Sequence, residues 1–190
     1  MKKSILLILM TLMVLCAYSQ EENSVDSKTT KKLTKAQKNE QRKAEEKKTA
    51  SMVDWMVQNR QFVLEANYLS NQTGERIIVN SNLNFIVIDS TNITIQLAST
   101  TGIGGANGMG GVTADGKISV FEVKKTGRNK DNYSIRVMAM TVIGSYDIFF
   151  SISPSSYADA SISGTTSGKL NYHGQIVPKQ VSRVFKGMAL

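Results

Sequence analysis

The chain carries one cysteine, one histidine, one tryptophan and two prolines among its 190 residues. Each shortage closes off a chemistry. The cysteine, Cys16, sits in an apolar leader. Once that leader is removed no thiol remains, so disulfides, a thiolate nucleophile and a zinc–cysteine site are excluded and the core alone must hold the fold. The histidine, His173, has no acid at a fixed spacing in sequence, and a catalytic or metal-binding histidine needs partners. It alternates with Asn171 and Gln175 on the polar side of a strand and reads as an exposed bystander, with Asp147 and Asp159 unplaced relative to it. No G-x-S-x-G, no H-E-x-x-H and no paired acids at motif spacing occur. No catalytic, cofactor-binding or metal-ligating residue is therefore nominated; no cofactor is expected, and the protein is not expected to be an enzyme.

A second long apolar run is also missing. Lys2 and Lys3 followed by "SILLILMTLMVL" and by Ala17, Tyr18 and Ser19 form the three parts of a secretory signal peptide, residues 1–19. Export to the periplasm or the exterior is expected, with no stable membrane insertion after cleavage. Lipidation at Cys16 is the less favoured alternative, because Leu15 is bulky where a lipobox wants a small residue. The net charge of +8 is partly a property of the N-terminal tail. That lysine-rich tail mixes in glutamates and has no aromatics to stack on bases, so a nucleic-acid partner is not expected.

Residues 20–33 are polar and aperiodic, the composition of a disordered spacer. A capping box at Thr34 and Gln37 opens a helix over 34–60, charged first and then amphipathic, with Met52, Trp55 and Met56 as the stripe that docks it. From residue 61 the period changes to 2. Phe62, Leu64, Ala66 and Tyr68 share a face, as do Ile93, Ile95 and Leu97 against Asn92, Thr94 and Gln96. The same alternation recurs at Tyr133, Ile135, Val137 and Ala139, at Ile148, Phe150 and Ile152, and at Leu170, Tyr172 and Ile176. In "LNFIVID" both faces are apolar. Turn signals at "NQTGE", "DSTN", "DG", "TGRNKD", "GS" and "TTSG" separate the runs. The expected fold is all-β, an antiparallel up-and-down barrel of about eight strands over 61–190 with an N-terminal helix.

The glycine run "STTGIGGANGMGGVTADGKI", residues 99–118, raises nucleotide binding and fails the test. Ile118 stands where a P-loop needs a magnesium-binding hydroxyl, and "ISVFEVKK" reads as strand where a helix must begin. Asp115 and Gly116 read as a hairpin pair.

"VNSNLNFIVIDSTNITIQLASTTGIGGANGMGGVTADGKI" and the ending "VFKGMAL" resemble domain-of-unknown-function family 4251, exported proteins of Bacteroidota. The resemblance implies a lipocalin-like barrel and no assigned activity. Three functional readings stay open, the least favoured being an enzyme, which would require several polar residues converging in a pocket. Of the two favoured, one is a cell-envelope module binding a small apolar ligand in the barrel; its ligand-binding residues are unknown. The other is a structural or protein-interaction module of the envelope, with a filled barrel and an exposed apolar patch.

Overall fold

The computed structural model describes residues 34–98, 111–129, 131–164 and 168–189. The segments read above as signal peptide and polar spacer lie outside these residues, as do most of the glycine run and the core of the "TTSG" turn.

Helix α1 spans Lys35–Asn59. Its start is the capping box seen in the sequence: the Gln37 amide donates to Thr34 Oγ1 at 3.4 Å, and the Thr34 amide donates to Gln37 Oε1 at 3.0 Å. Arg60, at φ +52°, ends the helix in the left-handed region. Within the compact unit of residues 41–190, the docking face differs from expectation. Val53, Met56 and Val57 are buried in the core, whereas Met52 is exposed and Trp55 is 45 % exposed. The stripe is rotated by one position: Val53 and Val57 join Met56 in the core, and Asp54 beside them accepts a hydrogen bond from Tyr133 Oη at 2.5 Å. Met56→Ala is expected to cost ~2–4 kcal/mol and Trp55→Ala about 1 kcal/mol or less. Chemical denaturation of the two variants checks this; equal losses would place the indole in the core after all.

Nine strands follow among the described residues: β1 (Gln61–Ser70), β2 (Arg76–Ile78), β3 (Phe85–Asp89), β4 (Asn92–Leu97), β5 (Val112–Thr126), β6 (Asn132–Thr141), β7 (Gly144–Ile152), β8 (Tyr157–Gly164) and β9 (Lys169–Val177). From β3 onward each strand pairs with the next, β1 pairs with β3, and β9 returns to β1. The result is a closed, antiparallel, eight-stranded barrel; β2 is a short flap on the far end of β1. Period-2 alternation explains it. Phe62, Leu64, Ile86, Ile88, Ile93, Ile135, Val137, Ile148, Phe150, Ala160, Tyr172 and Ile176 point inward and are buried. The β1 start, the β6 start and α1 lie at one end of the barrel. The ends of β4, β6 and β8 lie at the other.

Three local readings are corrected by this geometry. Asp115 and Gly116 are not a turn: they lie within β5, opposite Thr94 and Ile93. Glycine is needed there because a Cβ would sit 2.4 Å from the Met140 carbonyl oxygen. The β6–β7 turn is Val142–Ile143, one step before "GS". Tyr68 does not share a face with Phe62, Leu64 and Ala66. The pairing of β1 with β9 shifts register between Ala66 and Tyr68, and this bulge puts Leu69 inward and Tyr68 and Ser70 outward.

The second apolar face of β3 also finds its use. Phe85 and Val63 are buried on the outer wall, where the C-terminal residues 178–189 run over β1, β3 and β4. Gln96, expected on a wet face, is fully buried there. Its Nε2 donates to the carbonyls of Leu83 and Phe185 at 3.0 and 2.8 Å; its Oε1 accepts from the Gly187 amide at 2.8 Å and from Thr113 Oγ1 at 3.1 Å. Lys186 pairs with Asp115 at 2.5 Å. Partial burial works to raise the Asp115 pKa, but hydrogen bonds from Lys186 and Thr94 outweigh it and hold the carboxyl below its ordinary value.

Candidate functional site

Two places bring together side chains that could act on another molecule. The first is the end of the barrel opposite α1. The inward face is filled in the middle by Phe62, Phe150 and Tyr172, with Phe62 and Phe150 edge to face at 5.6 Å between centroids. Toward this end the lining shortens, and among the described residues a cavity of about 370 Å³ remains. Ile95, Leu97, Ala114, Ile162 and Leu170 form its walls and Ile143 its lip. Its polar groups are few. Tyr172 is completely buried and its hydroxyl donates to the Gln96 carbonyl at 3.0 Å. Burial pushes the Tyr172 and Tyr146 hydroxyls upward in pKa, so both stay neutral. Lys169 stands at the rim. Gly168 also lines the opening, and a Cβ there would meet nothing within 4 Å.

The second place is the outer wall of β1, β9 and β8, and the sequence reading missed it. His173, read from the sequence as exposed and without partners, is hydrogen-bonded at both ring nitrogens. Its Nδ1 lies 2.6 Å from Asp159 Oδ1 and its Nε2 lies 2.9 Å from Ser70 Oγ. Register builds the row: Tyr68 stands opposite His173 on one side and Asp159 opposite it on the other. The Tyr68 ring stacks on the imidazole at 4.5 Å and 14°, and the Arg76 guanidinium lies over Tyr68 at 5.3 Å. Asn171 Nδ2 donates to Ser70 Oγ at 3.3 Å. No sequence motif signals this, since the residues come from three strands. The one clue was positional: His173 follows Tyr172 by one residue and precedes Gly174, which permits close strand approach. Among the described residues no group of three or more His, Cys, Asp or Glu side chains is placed to hold a metal ion.

The model of the family described as Domain of unknown function (DUF4251) matches residues 41–176. The chain belongs to this family. The crystal structure of a DUF4251 family protein from Bacteroides eggerthii is similar, with a TM-score of 0.60 and 28 % identity over 71 % of this chain and 91 % of that one. No curated protein matches. The DUF4251 match includes every residue of the apolar cavity and the Ser70, Asp159 and His173 row, and ends before the C-terminal strap that engages Gln96. No helix among the described residues is long and apolar enough to cross a membrane.

Proposed function

We propose that this DUF4251 protein is an exported binding module for a small apolar molecule, held at the end of its barrel opposite α1. The observation that carries the reading is the cavity there, lined by Ile95, Leu97, Ala114, Ile162 and Leu170. Its volume falls within the range of about 300–1,000 Å³ usual for small-molecule sites. Tyr146 in its lining and Lys169 at its rim suit a ligand with a polar or anionic end. Export rests on the signal-peptide pattern of residues 1–19.

A fluorescent naphthalene sulfonate, apolar with one anionic group, is a suitable probe for the mature chain. Gly168→Phe fills the opening without a clash at Cβ. It is expected to weaken probe binding by about tenfold or more, the loss of one apolar anchor, while leaving the melting temperature unchanged. Unaltered probe affinity, together with no molecule retained in native mass spectrometry, would overturn the reading. The second reading, an envelope protein-interaction module, would then take its place. That alternative has its own observation: Met140, Val142 and Phe149 are large, apolar and exposed on β6–β7, with Val142 82 % exposed at the hairpin tip.

A further inference from the structure

We propose that Ser70, His173 and Asp159 form a nucleophilic relay on the outer wall of the barrel, making Ser70 reactive toward carboxylic esters. An ionised carboxylate can only accept, so His173 Nδ1 donates to Asp159 at 2.6 Å. Nε2 lies 2.9 Å from Ser70 Oγ, and in the neutral ring it is the acceptor for the hydroxyl proton. This is the arrangement in which an imidazole takes a hydroxyl proton as the oxygen attacks.

Three further contacts support that work. Tyr68 stacks on the imidazole and fixes its plane, and Asp159 orients the ring, so both are positioning residues. Asn171 Nδ2 donates to Ser70 Oγ at 3.3 Å and fixes the position of the hydroxyl beside the imidazole. Ser70 lies on the outer wall rather than in the core, though largely buried there, with 7 % of its surface exposed. Ile78, paired across β1–β2 with Tyr68, is almost fully exposed and offers an apolar rest for the acyl chain.

The step balances with water as the only co-reactant. Ser70 Oγ bonds to the acyl carbon while its proton passes to His173 Nε2. The bond to the leaving alkoxide breaks, and that oxygen takes the proton from Nε2. Water then attacks the acyl-serine, giving one proton to Nε2. The acyl–Oγ bond breaks, the acid leaves, and the Nε2 proton returns to Ser70 Oγ.

A fluorophosphonate probe reads the same chemistry in one turnover: Oγ bonds to phosphorus, fluoride leaves, and the proton goes to His173. Intact mass and peptide mapping of the mature chain are expected to find one adduct, at Ser70. Ser70→Ala is expected to abolish it, and His173→Gln to slow it by about a hundredfold or more, the ordinary contribution of a general base. Asp159→Asn, at an exposed position, should slow labelling with the melting temperature retained, which separates orientation of the ring from loss of fold. A wild-type protein that stays unlabelled, or labels at Ser70 at the same rate in folded His173→Gln, would overturn the proposal.

Discussion

Gly174→Ala is expected to unfold much of the population that the wild-type sequence keeps native, with a loss of roughly 3 kcal/mol or more, the upper range for overpacking. The added Cβ would sit 1.9 Å from the carbonyl oxygen of Glu65 and 2.8 Å from its carbon. The obstacle is backbone, so no side-chain rotation relieves it. Gly174 lies opposite Ala66, at the register shift that turns Tyr68 and Ser70 outward. The same substitution should therefore disturb the contact between His173 and Ser70. Urea titration followed by circular dichroism measures the first effect. A stability within 1 kcal/mol of wild type would mean that β1 and β9 separate at little cost and that the bulge is not held by close approach.

Gln96→Glu is expected to be nearly as damaging, although it changes one amide to a carboxyl of the same shape. The Gln96 amide nitrogen donates to two carbonyls, those of Leu83 and Phe185. A carboxylate in its place faces both oxygens with no proton to offer, and the side chain is wholly buried. Leaving buried acceptors unpaired costs about 1–3 kcal/mol each, more beside a charge. The total expected is about 3–5 kcal/mol, together with release of residues 178–189 from the wall. Hydrogen exchange at the Gly187 amide reports that release directly. Unchanged protection there would show that the strap is held by other contacts.

These two positions mark where sequence reading works and where it stops. The helix start and the alternating strands of an up-and-down barrel were legible because each depends on near neighbours, whereas the closure of that barrel, β1 against β9, was not. Thr34 caps Gln37, and Ile148, Phe150 and Ile152 alternate within one strand. Gln96 was assigned to water by the same alternation, but its solvent is displaced by a segment almost ninety residues further on. The glycine at 116 was read as a turn because glycine after aspartate usually makes one; in this fold it makes room for a neighbouring carbonyl. Ser70 and His173 were invisible as a pair for both reasons. Their contact spans distant strands, and a bulge at residue 67 inverts the face that strict period 2 assigns to Ser70. The apolar cavity was legible only as a possibility, since alternation names the inward residues without saying whether they fill the interior.

The ring closes between its first and last strands: Val63 pairs with Val177. During synthesis, therefore, no intermediate length of chain owns a complete barrel. Until β9 emerges, β1 has an open edge and the apolar faces of the meander have no enclosure. Non-local closure of this kind makes folding slow and puts the loop entropy before the reward. Such a topology favours commitment late, once the final strand is available, with the apolar faces exposed to aggregation until that moment.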